Sequence, residues 1–253
     1  MSGESFFVTL PSNSSVSYYP KNTIANFRTK LPQAIDFKIP YEVALTEIQY
    51  PKTWNSFTYT DSEISLCNAD EVPQGRYSVF ITRGQYTSIQ QLTEEINRCI
   101  SAHAVRKLTL TYDSLSNKVI IKANAPYEIM FRGRLAQLLG FAPNIYQMVK
   151  SVKQLHPAPF PADLQAGTYN VFVYTDIIEH QSVGDHFAQL LKIVHLDDTQ
   201  ERIVTRSFNH PLYLRVSKSR IDTVEISLKS DQDKPLKFTY GKSIITLHFR
   251  PVR

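Results

Sequence analysis

The chain contains little glycine and almost no cysteine. Eight glycines and two cysteines among 253 residues argue against a glycine-rich nucleotide-binding fold and against a small secreted fold held by disulfides. Cys67 and Cys99 each lie within an apolar pattern, so we expect two reduced, buried thiols. No apolar run approaches the roughly 20 residues of a transmembrane helix, and we expect no membrane insertion. The start, MSGESFFVTLPSNSS, lacks the features of a signal peptide, so the protein is expected to be made inside a cell and not secreted.

Motifs of common enzyme classes are also missing. The chain lacks GxGxxG, HExxH, GxSxG and the phosphate-binding GxxxxGK motif. The nearest approach to a metal-ligand cluster is a loop that holds Glu179, His180, Asp185 and His186, but its spacing is not that of a zinc site. We interpret this loop as a structural turn or an interface, and the acidic stretch 197–201 as a solvated turn and not a calcium site. The sequence therefore predicts no enzyme, no catalytic residue, no cofactor and no metal.

Aromatic and β-branched residues are plentiful and form short strand patterns. In Thr168–His195, a strand-like run is followed by a polar turn at His180–Asp185 and by a second apolar run at Phe187–Val194. Six further strands are predicted at Phe6–Leu10, Asn22–Leu31, Tyr41–Tyr50, Leu212–Val216, Ile221–Leu228 and Ser243–Phe249. Eight short strands predict a mainly β fold, a single jelly roll built as an eight-stranded antiparallel β-sandwich.

In two of the predicted strands, the order of residues indicates which side chains share a face of the sheet. Alternation within Tyr41–Tyr50 places Glu47 on the same face as Val43 and Leu45. In the strand that begins at Thr168, the residues on both faces are apolar, so alternation alone does not decide whether Val173 or Phe172 points into the core. A strand with two apolar faces is typical of burial on both sides, and we expect one face to be covered only on assembly.

The pattern changes between about residue 60 and residue 150, which predicts a small α+β domain inserted into the jelly roll. Its helix is the clearest element, because Ile89, Leu92, Ile96 and Ile100 recur at helical spacing. The predicted elements are a strand at Arg76–Thr82, the helix at Ser88–His103, a hairpin at Lys107–Ala123, a strand at Tyr127–Phe131 and a short helix at Leu135–Leu139 that Gly140 ends. Proline-rich Gln154–Gln165 is expected to be a linker. The predicted domains are 1–60 and 151–253 for the jelly roll and 61–150 for the insertion.

Three long stretches also carry a resemblance. The first is YEVALTEIQYPKTW, the second is VYTDIIEHQSVGD followed by LLKIV, and the third is PLYLRVSKSRIDTVEISL followed by KPLKFTYGKSIITLHF. In this order they resemble the minor capsid (penton) proteins of Maverick/Polinton elements, adintoviruses and virophages. GQYTSIQQLTEEIN followed by LAQLLGF is similar to the insertion of Maverick-type penton proteins. The resemblance spans most of the chain.

The resemblance implies a structural protein that forms homopentamers at the vertices of an icosahedral capsid. It implies further copies of the chain and the major capsid protein as partners, and the capsid vertex of the virion as location. The candidate interface residues are Trp54, Phe172, Tyr174, His180 and His186. Trp54 is first of all expected to be a packing anchor, with an interface role as the alternative.

The net charge of +5 admits weak, non-specific contact with packaged DNA, although charged residues at strand ends are more often simply solvated. The basic clusters lie near the chain ends and in one turn: Lys21, Arg28, Lys30, Lys218, Arg220, Arg250 and Arg253. Two other classes stay open. A receptor- or carbohydrate-binding jelly roll needs an exposed aromatic platform, and a cupin-like metalloenzyme needs histidines converging inside the barrel.

Overall fold

A computed structural model describes residues 4–54, 56–57, 59–68, 76–102, 108–149, 155–165, 168–196 and 202–252. The chain divides into two compact units. Unit 1 comprises Met1–Trp54 and Gly167–Arg253, and unit 2 comprises Asn55–Ala166. The buried apolar residues form two clusters, one in each unit, so each unit has a hydrophobic core of its own.

The elements follow one another in this order. The first part of unit 1 contains β1 (Phe6–Pro11), β2 (Asn26–Asp36) and β3 (Tyr41–Pro51). Unit 2 contains β4 (Glu63–Asn68), β5 (Arg76–Phe80), α1 (Ile89–Ala102), β6 (Leu108–Asp113), β7 (Lys118–Ala123), β8 (Tyr127–Phe131), α2 (Gly133–Leu138), β9 (Tyr146–Val149) and β10 (His156–Pro157). The second part of unit 1 contains β11 (Asn170–Thr175), β12 (Gln181–Val183), β13 (His186–Ala188), β14 (Leu190–His195), β15 (Ile203–Ser207), β16 (Leu214–Arg215), β17 (Arg220–Lys229) and β18 (Ile244–Pro251).

Unit 1 is a jelly roll. One sheet has the order β1-β18-β3-β15, and the short β16 also pairs with β3; the other sheet has the order β14-β11-β17-β2, and all pairs are antiparallel. Apart from the short strands β12, β13 and β16, the first sheet holds the first, eighth, third and sixth strands and the second holds the others. The chain thus passes repeatedly from sheet to sheet, as in jelly rolls. The prediction of a mainly β jelly roll is confirmed.

One of the eight predicted strands is wrong. We expected it at Leu212–Val216, where the structure has only the two-residue β16; the strand that completes the sheet is β15, at Ile203–Ser207. It pairs along its whole length with the end of β3. β15 is an edge strand in which only Val204 is buried, so its sequence lacks the repeated apolar alternation that marks a strand.

A β-bulge reverses the faces of β3 halfway along its length. Successive residues of β18 pair with Leu45 and Glu47, so Thr46 is an extra residue that has no partner in the register. Val43 and Leu45 point into the core before the bulge, and Ile48 points into it afterwards. The prediction that Glu47 shares the face of Val43 is therefore wrong, because strict alternation does not survive an inserted residue.

Unit 2 contains two small sheets, of order β5-β4-β8-β9 and β10-β7-β6. The predicted helix is present as α1. The Ser88 hydroxyl caps its start by accepting a 3.1 Å hydrogen bond from the Gln91 backbone N–H. Gly140 ends α2 with φ +78°, and a Cβ there would lie 2.1 Å from the Phe160 carbonyl oxygen, so only glycine suits this position. Strands β4 and β9 were not predicted.

The segment expected to be a linker packs within unit 2. Over residues 155–165 it pairs with β7 through β10. The backbone N–H of Ala158 donates to the Val119 carbonyl at 2.7 Å, and that of Asp163 donates to the Leu138 carbonyl at 2.9 Å. The prolines leave the strand short, but they do not detach it. The insertion boundaries at 60 and 150 stay a prediction.

We predict that unit 1 folds without unit 2. Replacing Asn55–Ala166 by a short Gly/Ser linker should leave a β protein with a cooperative thermal transition, because the two cores are separate. Circular dichroism and one-dimensional NMR report on this. A second variant in which only Ser62–Val149 is replaced is the comparison. It should have a lower melting temperature than the first variant, because residues 155–165 lose their partners in unit 2. An unfolded product from the first variant would show that unit 2 is needed for the jelly roll to fold.

Candidate functional site

The outer face of the second sheet of unit 1 carries an apolar strip. The inward residues of β11 are Val171, Val173 and Thr175, all buried, which settles the alternation that the sequence leaves open. Phe172 and Tyr174 are half-buried on the opposite face. The outer strip is defined by Phe172, Tyr174 and their neighbour Ile193 on β14.

Ile193 extends the strip to the edge of the sheet. It is the register partner of Phe172, so both side chains point to the same side, and it is 48% exposed. On the other side, Phe172 is paired with Lys229, whose Nζ lies 5.0 Å from the centre of the Tyr174 ring. Burial raises the pKa of the Tyr174 phenol, and the Asp233 carboxylate raises it further. The strip is therefore apolar and bordered by a cation.

The rest of this outer face is polar. Arg28 on β2 and Glu225 on β17 are register partners, and their side chains form an ion pair at 2.7 Å. Next to it, the Ser227 hydroxyl donates to the Asn26 side-chain oxygen at 2.7 Å. The outer strip is thus confined to the β11–β14 half of the sheet, and the β17–β2 half is suited to water.

The two candidate histidines flank a small hairpin formed by β12 and β13. His180 is exposed just before β12, and His186 is the first residue of β13. The His186 Nδ1 lies 3.0 Å from the Asp185 carboxylate, and this hydrogen bond lowers the pKa of Asp185. Phe187 follows and is 75% exposed. The hairpin therefore presents an exposed apolar ring, with one candidate histidine just before β12 and the other at the start of β13.

Trp54 packs inside unit 1. Its ring centre lies 6.3 Å from that of Tyr50 and 5.6 Å from that of Phe238, which it meets edge-on. Trp54 also forms an isolated β-bridge with Phe238. These contacts are those of a packing anchor, and an interface role for Trp54 stays a prediction. The five candidate interface residues thus occupy three places: the outer strip, the hairpin and the Phe238 contact.

Several of the basic residues are paired with carboxylates. Lys218 contacts Asp176 at 2.6 Å, and Arg220 contacts Asp36 at 3.3 Å. In the described part of the chain, no three His, Cys, Asp or Glu side chains are arranged to hold a metal ion. Both Cys67 and Cys99 are buried thiols that are not joined in a disulfide. The proposed acidic turn at 197–201 and Arg253 lie outside the described residues.

A stacked polar cluster on the outer face of the first sheet was not predicted. The Tyr213 hydroxyl lies 2.7 Å from the His248 Nδ1, and the Arg250 guanidinium lies 3.4 Å from the centre of the Tyr213 ring. Arg250 also donates to the Glu42 carboxylate at 2.6 Å. Burial and the charge of Arg250 lower the pKa of His248. The register partner of His248 is Ala44, whose small side chain leaves room for these rings.

Unit 2 contains a cleft of about 480 Å³ beside the start of α1. At its wall, Arg98 donates two hydrogen bonds to Glu95, at 2.7 and 2.6 Å. The hydrogen bond from Arg98 lowers the pKa of Glu95 to about 2. Burial raises the pKa of Tyr86 to about 12, and its hydroxyl donates to the Thr82 carbonyl. This cleft is formed by fixed polar groups that the sequence did not single out.

Among the described residues, no helix is both long and apolar enough to cross a bilayer.

We predict that unit 2 becomes less stable in acid because the stabilising Glu95–Arg98 pair is lost when Glu95 is protonated. The pKa of Glu95 is lowered on folding to about 2, so its contribution is present above the ordinary carboxyl pKa and is lost as the pH falls towards 2. Glu95→Gln should therefore cost about 1 kcal/mol near neutral pH, given a partly exposed partner. The difference from the wild type should shrink between about pH 4.3 and 2. Thermal unfolding by circular dichroism measures this.

The matched control is Glu94→Gln, which changes the exposed neighbouring carboxylate on the same helix. Its melting temperature should equal that of the wild type at every pH. A difference for Glu95→Gln that does not change with pH would contradict the ion-pair explanation.

Solved structures resemble this chain over nearly its whole length, although no protein-family model and no curated protein sequence matches it. The selenomethionine-labelled penton protein of mavirus has a TM-score of 0.56 at 12% identity, with 98% of this chain and 100% of that chain covered. A chain of the Sputnik virophage structure has a TM-score of 0.51 at 10% identity, with 98% of each chain covered. At these identities the likeness concerns the fold. The chain has the fold of a virophage penton protein.

Proposed function

We propose that the protein is a non-enzymatic minor capsid (penton) protein that forms homopentamers at the vertices of an icosahedral capsid. The observation that carries the proposal is that β11 is apolar on both faces. Val171 and Val173 fill the core, and Phe172 and Tyr174 extend an apolar surface on the outside. The jelly-roll strand order and the full-length likeness to the mavirus penton protein support the same function.

Five copies around an axis meet through one surface that contacts a different surface on the next copy, and such contacts close into a ring. We propose that the outer strip forms part of one of these surfaces. Covering Phe172, Tyr174 and Ile193 would remove apolar area from water, and the ion pair between Lys229 and Asp233, at 2.8 Å, lies at the border of this area. The polar half of the sheet, around Arg28 and Glu225, suits the rim.

The β12–β13 hairpin is the second proposed contact. Its exposed Phe187 can enter an apolar pocket on the neighbouring subunit or on the major capsid protein, because an aromatic anchor contributes most when it is fully desolvated. His180 and His186 would then lie at the border of that contact. Trp54 would act indirectly, by holding the end of β3 against Phe238.

The proposed location is the capsid vertex of the virion, with the major capsid protein as neighbour. Contact with packaged DNA would be weak, because cations such as Arg28, Lys218 and Arg220 already have carboxylate partners. The proposed assembly takes place inside the host cell, which suits two buried thiols that are not joined in a disulfide.

We predict weak DNA binding without sequence preference. The net charge is only +5, and sequence-independent binding depends on unpaired cations. Fluorescence anisotropy with two duplexes of unrelated sequence, at about 0.15 M salt, should give the same weak affinity for both. Tight binding that differs between the duplexes would contradict a purely structural role.

We predict that aspartate has different effects at adjacent positions of β11. Val173→Asp should unfold unit 1, because a charge in the core without a partner costs several kcal/mol. Phe172→Asp should leave a folded monomer, because this position borders water and Lys229. The wild type should have five times the mass of one 29.0 kDa chain. Size-exclusion chromatography with light scattering and circular dichroism distinguish these outcomes.

The matched control is Thr9→Asp, which places the same charge on an exposed position of β1 in the other sheet. It should be folded and pentameric. A monomeric wild type at high concentration would contradict self-assembly by this chain, and a pentameric Phe172→Asp variant would exclude the outer strip from the interface.

A further inference from the structure

Two exposed aromatic rings stack on each other at the surface of unit 2. The centres of the Tyr59 and Phe80 rings lie 5.6 Å apart with an angle of 9° between their planes. Tyr59 is 60% exposed and Phe80 is 46% exposed. Paired rings that face water and lie outside the core of unit 2 are a feature of surfaces that bind something. The name aromatic platform is used below for Tyr59 and Phe80.

The aromatic platform adjoins the cleft beside α1. Arg83 joins the two, because it lines the cleft and its guanidinium carbon lies 5.5 Å from the centre of the Tyr59 ring. The volume of about 480 Å³ is within the range of roughly 300–1,000 Å³ that is usual for small-molecule sites. Platform and cleft therefore form one continuous surface with an apolar end and a polar end.

The polar end combines fixed groups with available ones. Glu95 and Arg98 hold each other, and Arg98 also donates to the Thr82 hydroxyl at 3.3 Å. The side chains of Arg83 and Glu94 also line the cleft, and neither makes a hydrogen bond or ion pair with another described residue. The cleft thus offers a cationic donor and an anionic acceptor beside the Glu95–Arg98 pair, whose own charges cancel.

This combination selects for one chemical class. A sugar ring has a face of C–H groups that packs on an aromatic ring, and a rim of hydroxyls that both donate and accept. An apolar ligand would leave Arg83 and Glu94 desolvated without partners. A strongly anionic ligand would meet Glu94, and a cationic ligand would meet Arg83. We propose that unit 2 carries a binding site for a neutral oligosaccharide, formed by the aromatic platform and the cleft beside α1. The proposal does not depend on assembly.

The test uses the full-length protein and a panel of neutral trisaccharides: chitotriose, cellotriose and galactotriose. Saturation-transfer NMR should show binding of at least one of them, with a Kd near 1 mM, as expected for a shallow open site. Sialyllactose, which is anionic, should bind no more tightly. Tyr59→Ala and Phe80→Ala should each weaken binding by about tenfold. Glu94→Gln should also weaken binding, and it changes an exposed side chain that has no partner among the described residues.

The matched control is Tyr240→Ala. Tyr240 is 62% exposed, nearly the same as Tyr59, but it belongs to unit 1, so its removal should leave binding unchanged. Circular dichroism on every variant establishes that the fold is retained. Absence of binding across the panel would overturn the proposal. So would equal weakening by Tyr240→Ala and Tyr59→Ala, unchanged binding in both Glu94→Gln and Tyr59→Ala, or tighter binding of sialyllactose than of the neutral sugars.

Discussion

The structure of unit 1 depends on burying one face of each sheet against the other. Neither sheet can form from a continuous piece of chain, because β18 lies between β1 and β3, and β17 lies between β11 and β2. The last two long strands therefore occupy central positions in the two sheets. Their pairing closes very long loops, and only the burial of a shared core offsets that loss of entropy. Fully buried residues such as Leu247 and Phe249 on β18, and Ile226 and Leu228 on β17, provide this core.

The same constraint explains which elements the sequence predicts. Helix α1 is recognisable because its apolar residues repeat at helical spacing over about three turns, and the structure begins it at Ile89, one residue after the predicted start. Strands that cross the core, such as β17 and β18, alternate clearly between apolar and polar residues. Edge strands and bulges are different: β15 buries one residue, and the extra Thr46 in β3 is apparent only when β18 is aligned with it. Register between distant strands is a tertiary property, and local pattern does not contain it.

The candidate surfaces also differ in how far the sequence predicts them. That β11 has two apolar faces can be read from the sequence, but which face is internal follows only from the facing sheet. The β12–β13 hairpin was missed as an element, because two strands of three residues are too short for a period to show. The aromatic platform joins Tyr59 to Phe80, which are 21 positions apart and lie in different segments, and the sequence gives no signal for such a pair. For these two segments the sequence shows only charge, length and apolar content, and none of these reveals a contact between distant residues.

The apolar surfaces outside the two cores add little to the stability of a single chain. Residues such as Phe172 and Ile193 contribute little to the stability of a monomer, because in the monomer they still face water and their transfer free energy is not gained. Their contribution appears only when another surface covers them. The outer strip and the aromatic platform belong to units with separate cores, so each can be altered without changing the packing that holds the other in place. The proposed assembly through unit 1 and the proposed ligand binding through unit 2 can therefore be separated by substitutions, which one shared core would not allow.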